Sequence, residues 1–231
     1  MVDKGYANPQ LLWSPEELYA RLQDPRLVLI DVRTTHTFVK GWIPGAVHFD
    51  LYGISLNNTN PEPMASFMWM MEYLFGLRGV DHDKTVVFYE GIAGMRAARG
   101  FWFLEYMGHE DVHILDGGFK AWVAAGYPVS TEPTIPQQTH FQARYRPELH
   151  RNADAIRDML SAPDVVILDT RTDDEYYGRN VRAARGGTIP GAVHLEWVNN
   201  LNPDGTFKSG DELRAMYEAC GITRDKAVVP F

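Results

Sequence analysis

The sequence predicts an α/β protein made of two similar domains, and two observations lead to that prediction. Short apolar runs typical of buried parallel strands alternate with segments that carry helix signals. The chain also repeats itself, because residues 27–33 match 165–171 and the hexapeptide IPGAVH occurs at both 43–48 and 189–194. We therefore expect each copy to form a mostly parallel sheet flanked by helices.

The first copy begins with a clear helix start and then alternates strands with helices. Ser14 is a capping residue, Pro15 takes the first helical position and Glu17 the third. The apolar run 27–32 is typical of a strand buried on both faces, and the turn 43–47 feeds a short strand. The remaining predicted elements are a helix at 67–77, a strand at 85–89, a glycine-bearing loop, a helix at 96–107, a strand at 112–115, a turn at 116–118 and a helix at 119–125.

The second copy follows the same order but has no counterpart of residues 90–130. Its predicted elements are a helix at 154–160, a strand at 165–169, a helix start at 172–175, a strand at 193–197, a helix at 211–220 and a strand at 227–231. The last strand pairs Phe231 with Tyr89 of the first copy. A sheet that stopped there would keep an open edge, so we expect a longer polypeptide. A natural half-domain and a break at a chemically modified next residue are the alternatives.

Composition bounds the domain organisation and the class of partner. The 231 residues, 45% hydrophobic, suffice for two domains, at 1–135 and 146–231, joined by a linker at 136–145. A net charge of −8 without a Lys/Arg run argues against nucleic acid, and no apolar run is long enough to span a membrane. The absence of a secretory signal and the single cysteine predict a soluble, cytoplasmic protein. The sequence leaves the oligomeric state open.

The combination of several motifs resembles the rhodanese family over essentially the whole chain. These motifs are Asp-x-Arg at a strand end, the Ile-Pro-Gly-Ala turn, and a Val-Val-x-Tyr strand that leads into Gly-x-Arg and an apolar helix. The first copy adds LDGGFKAW at 115–122 and GYPV at 126–129. The tandem arrangement resembles two-domain thiosulfate and 3-mercaptopyruvate sulfurtransferases. The resemblance implies that the N-terminal copy is inactive and that a cysteine follows the strand ending at Phe231.

The chemistry of such a protein explains why the loop after that strand matters. A short loop between a strand and a helix directs successive backbone N–H groups inward, where they hold an anion. A cysteine at its start has a lowered pKa and serves as both nucleophile and sulfur carrier. It takes the outer sulfur of thiosulfate as a persulfide and passes it to cyanide or another thiol. This reaction needs no metal and no organic cofactor, only a small-molecule sulfur donor and acceptor.

The corresponding loop of the first copy lacks a nucleophile. Gly94 and Arg96 keep the closing pattern of the loop, whereas Glu90 and Gly91 occupy the start, where neither can carry sulfur. Glu90 also places a negative charge where an anion is expected to bind. We therefore interpret the first domain as a scaffold.

Several residues of the second copy are candidates for binding substrate or orienting the loop. Asp169 and Arg171 either orient the loop or form ion pairs, with Glu175 as the alternative partner of Arg171. An insertion before Ile189 holds three arginines that either attract a dianion or lie in a solvated loop, namely Arg179, Arg182 and Arg185. Trp197 is expected at a strand end facing the site, with a core position as the alternative.

Two further patterns have simpler structural interpretations. Cys220 is the only thiol, but the repeat places it at the end of a helix, before the last strand, which favours a structural cysteine. Residues 109–113 read HEDVH, the pattern of zinc proteases, but Gly108 ends a helix and residues 112–115 are predicted to be a strand. Since that chemistry needs both histidines on one helical face, we predict no metal site here.

The sequence therefore predicts a thiosulfate sulfurtransferase whose nucleophile lies just beyond Phe231, so that residues 1–231 alone are inactive. A 3-mercaptopyruvate sulfurtransferase is the alternative within the same class. A non-catalytic binding or regulatory module is the alternative outside it, since the first copy lacks a cysteine. A rhodanese-fold phosphatase is a third possibility, but it would need a longer loop to fit phosphate.

Overall fold

The computed structural model describes residues 4–231, which divide into two compact units of α/β structure. Unit 1 consists of residues 8–150 and 203–207. Unit 2 consists of residues 151–202 and 208–231, together with residues 4–7 from the beginning of the described chain. In each unit the strands are parallel and helices separate them, so the predicted fold class is confirmed.

Unit 1 contains a five-stranded sheet with the order β1-β5-β4-β2-β3, and each pair of neighbouring strands is parallel. The strands are β1 (Leu12–Trp13), β2 (Leu27–Asp31), β3 (Val47–His48), β4 (Thr85–Tyr89) and β5 (Val112–Leu115). The helices are α1 (Pro15–Arg21), α2 (Thr35–Phe38), α3 (Pro61–Gly76), α4 (Met95–Tyr106) and α5 (Gly118–Ala124), with 3-10 helices at Pro9–Leu11 and Pro147–Leu149.

The central strand β4 explains why the strand predictions succeed. All five of its residues are buried, as its continuous apolar run predicts for a strand covered on both faces. Val86 and Phe88 belong to one hydrophobic cluster, whereas Val87 and Tyr89 belong to a second cluster around Trp122. Because side chains alternate along a strand, the two clusters lie on opposite faces of the sheet.

Helix α3 begins six residues earlier than the sequence predicts, because its first turn includes two prolines. The apolar pattern indicates a start at residue 67, but the helix begins at Pro61. Proline is tolerated in the first helical turn because the N–H groups there have no intrahelical partner. Pro61 and Pro63 therefore belong to the helix rather than to the preceding loop.

Residues of the predicted linker pack against α3 within unit 1. Phe141 is buried, and the N–H of Thr139 donates to the Gly76 carbonyl at 2.9 Å. The carboxylate of Glu72 accepts from the N–H of Ala143 at 2.9 Å and from the hydroxyl of Tyr145 at 3.0 Å. These residues therefore have an ordered connection to the helix.

Unit 2 contains a three-stranded parallel sheet with the order β7-β6-β8. The strands are β6 (Val165–Asp169), β7 (Val193–His194) and β8 (Ala227–Pro230). The helices are α6 (Ala153–Met159), α7 (Asp173–Tyr176) and α8 (Gly210–Ala219), with a 3-10 helix at Trp197–Asn200.

The predicted strand 193–197 is too long. Strand β7 ends at His194, and Trp197 begins the 3-10 helix instead of ending a strand. The side-chain amides of Asn199 and Asn200 donate to the carbonyls of Glu196 and Trp197, which favours a turn over an extended chain.

The two sheets share the same register at their centres. Val28 pairs with Val86 in unit 1, and Val166 pairs with Val228 in unit 2. Beyond these pairs, the N–H of Val32 donates to the Tyr89 carbonyl at 2.9 Å, and the N–H of Thr170 donates to the Phe231 carbonyl at 3.0 Å. Phe231 is therefore the structural counterpart of Tyr89, as the repeat predicts. No helix within residues 4–231 is long and apolar enough to cross a membrane.

A substitution at Gly100 tests how tightly α4 packs against β4. A Cβ atom at this position would lie 2.5 Å from Cδ1 of Phe88, whose ring is fully buried. Alanine is better than glycine in a helix by about 1 kcal/mol, yet we expect Gly100→Ala to lower the free energy of unfolding by roughly 1–3 kcal/mol through overpacking. Urea denaturation measures the change.

The double variant and a surface control identify the cause. When Gly100→Ala is combined with Phe88→Leu, we expect the free energy of unfolding to fall by less than the sum of the two single effects. The reason is that leucine at position 88 leaves room for the new methyl group. Ser66→Ala on the exposed face of α3 is expected to change stability by less than about 0.5 kcal/mol. A stabilising Gly100→Ala substitution would contradict the packing.

Candidate functional site

The carboxyl end of β6 carries a buried ion pair that ties the strand to the turn after it. The carboxylate of Asp169 is fully buried and accepts from Arg171 Nε at 3.0 Å and from the Thr188 hydroxyl at 2.7 Å. Nη2 of Arg171 also donates to the Gly187 carbonyl at 2.9 Å. This pair therefore fixes the position of the IPGAVH turn beside the strand end.

Unit 1 contains the same ion pair, so it is not specific to the second copy. Nε of Arg33 lies 3.0 Å from Asp31, and its Nη2 donates to the Gly41 carbonyl at 2.7 Å. Arg33 also stacks over the ring of Phe119, with its guanidinium carbon 3.9 Å from the ring centre. The structure thus supports the frame-building interpretation of the Asp-x-Arg motif in both copies.

The alternative pairing of Arg171 with Glu175 does not form. Glu175 is buried and completes a capping box with Thr172 at the start of α7. Its ion-pair partner is Arg182, with 3.4 Å between Nε and Oε1. Burial raises the pKa of Asp169, but the hydrogen bonds from Arg171 and Thr188 outweigh burial and hold that pKa below its usual value.

The three arginines of the insertion lie in an exposed loop. Arg179 forms an ion pair with Asp174 at 2.7 Å and stacks over Tyr177. Arg182 is paired with Glu175, as described above, and its side chain is 63% exposed. Arg185 is exposed, and within residues 4–231 its side chain has no ion-pair or hydrogen-bond partner. Exposed pairs of this kind contribute little to stability.

Several groups of unit 2 converge on Phe231. Its carbonyl accepts from both the N–H and the hydroxyl of Thr170, at 3.0 and 2.9 Å, and its N–H donates to the Leu168 carbonyl at 2.9 Å. Arg171 stacks over its ring at 5.2 Å. Trp197 is half-buried, and its N–H donates to the Thr170 carbonyl at 3.0 Å. Trp197 therefore lies beside this strand end, although in a 3-10 helix.

Two threonines at this strand end were missed by the sequence analysis. Thr170 and Thr188 take the places of Val32 and Trp42 of the first copy, and both side chains donate hydrogen bonds that valine and the Trp42 indole do not make. A position-by-position comparison of the two copies for added hydroxyl groups would have identified both threonines. A search for charged residues does not find them.

In unit 1, the loop after β4 is occupied by its own carboxylate. Oε1 of Glu90 accepts from the N–H of Arg96 at 2.6 Å and from the N–H of Ala97 at 3.0 Å, both in the first turn of α4. These are the donors that would hold an anion at a helix N-terminus. A Cβ atom on Gly94 would lie 2.8 Å from this carboxylate oxygen, so the glycine makes room for the contact.

Other contacts close the rest of this loop. The side chain of Arg96 forms an ion pair with Asp50 at 2.9 Å instead of turning inward. The N–H of Ala93 donates to the Gly205 carbonyl at 2.9 Å, because residues 203–207 belong to unit 1. Gly91 is exposed, and its carbonyl accepts from the N–H of Lys120 at 3.0 Å.

Cys220 lies at the C-terminal end of α8, where it caps the helix. A helix C-terminus presents carbonyl groups rather than the free N–H groups of a helix N-terminus. Cys220 also precedes β8, whereas Phe231 follows the last residue of that strand. Cys220 therefore lies at a helix end before β8, as the repeat predicts.

The two histidines of HEDVH lie on different elements. His113 is in β5, where its ring nitrogens face the Gln10 carbonyl at 2.7 Å and the Asp111 carboxylate at 2.8 Å. His109 lies between α4 and β5, and its Nε2 contacts the Asp81 carbonyl at 3.0 Å. Within residues 4–231, no group of three or more His, Cys, Asp or Glu side chains is placed to hold a metal ion.

Comparison with known proteins points to one family. The sequence pattern of the family described as Rhodanese-like domain matches residues 14–125 and again residues 152–229. The chain belongs to this family. Both matches cover the strand, turn and strand that build the frame described above, so the family assignment predicted from the repeat is confirmed.

Individual relatives span most of the chain. It is 34% identical to the sulfur carrier protein TtuD of Thermus thermophilus, over 98% of this chain and 84% of that protein. It is 33% identical to the thiosulfate sulfurtransferase of Azotobacter vinelandii, over 97% of this chain and 83% of that protein. The crystal structure of SseA from Escherichia coli, described as a 3-mercaptopyruvate enzyme of the rhodanese fold, superposes with a TM-score of 0.81 at 25% identity and covers 95% of this chain and 87% of its own.

Two substitutions at Glu90 test its role in the loop of the first rhodanese-like domain. Burial raises the pKa of Glu90 above its usual 4.5, against the opposing effect of its backbone hydrogen bonds. A raised pKa means that ionisation opposes folding, so stability falls as the pH rises from 4.5 through the folded-state pKa. Glu90→Gln keeps an oxygen acceptor without the charge. We expect it to match or exceed the native stability at pH 7 and to lose this part of the pH dependence.

Glu90→Ala removes the acceptor altogether. We expect Glu90→Ala to lower the free energy of unfolding by about 1 kcal/mol, as the loss of a helix cap does. Thermal unfolding between pH 4 and pH 8 measures the stability of both variants. Equal losses for Gln and Ala would contradict the contact between Glu90 and the first turn of α4.

Proposed function

We propose that the protein transfers sulfane sulfur from thiosulfate to cyanide or a thiol acceptor. The transfer proceeds through a persulfide on a cysteine that directly follows Phe231. The observation that carries this proposal is the loop of unit 1, where the residue after Tyr89 places an anionic oxygen 2.6 and 3.0 Å from two N–H groups of α4. Because Phe231 and Tyr89 occupy equivalent positions, the next residue of the second copy would start the corresponding loop.

A cysteine in that position has the environment that sulfur transfer needs. Its thiolate would be stabilised by inward-facing N–H groups. In the first copy the corresponding N–H groups, those of Arg96 and Ala97, donate to Glu90. The thiolate attacks the outer sulfur of thiosulfate, the S–S bond of the donor breaks, and sulfite leaves with the electron pair. Cyanide then attacks the outer sulfur of the persulfide, thiocyanate leaves, and the thiolate is restored. Neither step requires a metal or an organic cofactor.

The candidate residues of unit 2 have separate roles in this proposal. Asp169 and Arg171 hold the strand end, and Trp197 forms a wall beside it. The insertion loop supplies a positive potential for the dianionic donor, with Arg185 the arginine that is least neutralised by neighbours. Because the net charge of the chain is −8, a small anion is expected to bind only where basic side chains make the local potential positive. The same net charge disfavours binding of nucleic acid. We place the reaction in the cytoplasm, where thiol acceptors stay reduced.

The names of several relatives support thiosulfate as the donor. The proteins of Azotobacter vinelandii and Pseudomonas aeruginosa are thiosulfate sulfurtransferases, and that of Thermus thermophilus is a sulfur carrier. The similarity to the structure of SseA favours 3-mercaptopyruvate as a second candidate donor. Both donors would form the same persulfide. Comparing thiocyanate release from the two donors distinguishes these functions.

Mass spectrometry of the intact protein tests the proposal directly. After incubation with thiosulfate we expect a gain of about 32 Da, the mass of one sulfur in a persulfide, on the peptide that contains the residue after Phe231. Cyanide is expected to remove the added mass and release thiocyanate. A chain that ends at Phe231 is expected to gain no mass and to show no turnover.

Two cysteine variants serve as matched controls. Replacing the cysteine after Phe231 by serine is expected to abolish sulfur loading, whereas Cys220→Ser is expected to leave it unchanged. Loading on Cys220, or equal turnover by the chain that ends at Phe231, would refute the assignment of the nucleophile. A non-catalytic binding module would show no loading from either donor.

A further inference from the structure

Helix α3 exposes two aromatic side chains that the core of unit 1 does not use. The large buried side chains of this helix are Met68, Met71 and Phe75, which belong to a hydrophobic cluster. Trp69 and Tyr73 lie on another side of the helix, where they are 68% and 60% exposed. Neither ring belongs to a core cluster, so core packing does not explain their presence.

The two rings border a groove between α3 and the segment 138–142, within unit 1. The groove has a volume of about 410 Å³, inside the range of about 300–1,000 Å³ that is typical of ligand pockets. One wall is a single stripe of the helix, formed by Trp69, Glu72, Tyr73, Gly76 and Leu77. The opposite wall is fixed to the helix, because the N–H of Thr139 donates to the Gly76 carbonyl at 2.9 Å.

The rings of Trp69 and Tyr73 are arranged as a pair. Their centroids lie 6.5 Å apart, and the ring planes differ by only 13°. A ligand that contacts one ring therefore lies close to the other. The face of an aromatic ring carries negative partial charge, and tryptophan attracts cations most strongly of the aromatic side chains. Two neighbouring rings of this kind favour a cationic ligand.

A carboxylate lies on the same stripe of the helix. Glu72 is held in place by two hydrogen bonds, from the N–H of Ala143 at 2.9 Å and from the hydroxyl of Tyr145 at 3.0 Å. Burial and the hydrogen bond to Glu72 raise the pKa of Tyr145, so this hydroxyl stays protonated and continues to donate. Within residues 4–231, Glu72 forms no ion pair. Its negative charge is therefore positioned but not neutralised.

The groove offers Glu72 no positive partner of its own. Among the described residues that line it, none is Lys or Arg. The next cation after the helix is Arg78, whose guanidinium donates to the backbone carbonyls of Leu74 and His48. The groove thus combines two aromatic rings with one unneutralised carboxylate, which is complementary to an organic cation.

We infer that this groove binds a small quaternary ammonium compound. Aromatic rings and a nearby carboxylate recognise such a cation without hydrogen bonds, because it has no N–H group. A primary ammonium is more strongly hydrated and needs acceptors for three N–H groups. The groove shares no residue with the site of the proposed sulfur transfer, so the inference does not depend on that function. It gives the first domain a binding role of its own.

Three probes separate charge from shape. Choline carries a quaternary ammonium, 3,3-dimethylbutan-1-ol has the same shape with carbon in place of nitrogen, and ethanolamine carries a primary ammonium. Isothermal titration calorimetry of the intact protein measures the Kd of each. We expect choline to bind about tenfold more tightly than the neutral alcohol, because the alcohol lacks the attraction to the two rings and to Glu72. Ethanolamine is expected to bind more weakly than choline.

Three substitutions locate the binding site. Trp69→Leu and Tyr73→Leu each remove one ring, whereas Glu72→Gln removes the charge and keeps an oxygen acceptor for Ala143. We expect each substitution to raise the Kd for choline about three- to tenfold. Glu72→Gln is expected to leave the Kd for the neutral alcohol within about twofold, since only the charge is lost.

Two variants outside the groove are matched controls. Glu62→Gln removes a carboxylate from the first turn of the same helix, and Tyr19→Leu removes a half-exposed ring from α1. Both are expected to keep the Kd for choline within about twofold of the parent. Thermal unfolding checks that each variant is folded, and the separate Trp69 and Tyr73 variants keep the test decisive if one of them does not fold.

Four outcomes would overturn the inference. They are the absence of saturable choline binding, equal affinity for choline and the neutral alcohol, ethanolamine binding as tight as that of choline, and an unchanged Kd in the folded groove variants. Sulfur loading from thiosulfate is measured separately. A failure of sulfur loading would refute the proposed function and leave the binding result as it stands.

Discussion

A buried carboxylate at the end of one strand, β2 in unit 1 and β6 in unit 2, organises each domain of this protein. Asp31 and Asp169 lie inside the fold, where an unpaired charge would be strongly unfavourable, and each is paired with the arginine two residues later. The same arginine binds a glycine carbonyl of the turn that precedes the IPGAVH motif. One ion pair therefore fixes both the strand end and the adjacent turn. Every group at the candidate site is positioned relative to this frame.

On that shared frame the two domains have diverged in what they place beside the strand end. The first domain has filled its helix N-terminus with the carboxylate of Glu90 and covered the loop with residues 203–207. The second domain has gained hydroxyl groups from Thr170 and Thr188 and a loop with three arginines. The ion pair of the frame is common to both domains, whereas the side chains beside the strand end differ.

The sequence predicted the strands better than it predicted the contacts of the site. Strands at 85–89 and 112–115 were predicted to the residue, because each is a short, mostly apolar segment with polar flanks, as is typical of a strand buried on both faces. The start of α3 was missed since its first turn holds prolines, and β7 was overestimated because apolar residues continue into a 3-10 helix. The contact of Glu90 with α4 depends on a side-chain conformation that no local pattern encodes. Thr170 was overlooked since a hydroxyl near a strand end is common and carries no charge.

The close fit between Gly94 and the carboxylate of Glu90 bears on how such domains evolve. A Cβ atom at position 94 would lie 2.8 Å from this carboxylate, so a larger residue there requires the Glu90 side chain to shift. Every base of a glutamate codon differs from the corresponding base of a cysteine codon, so three base changes separate Glu90 from a thiol at this position. A domain with this arrangement therefore keeps the strand and turn of the family while a thiol at the start of its loop is out of reach of a single mutation.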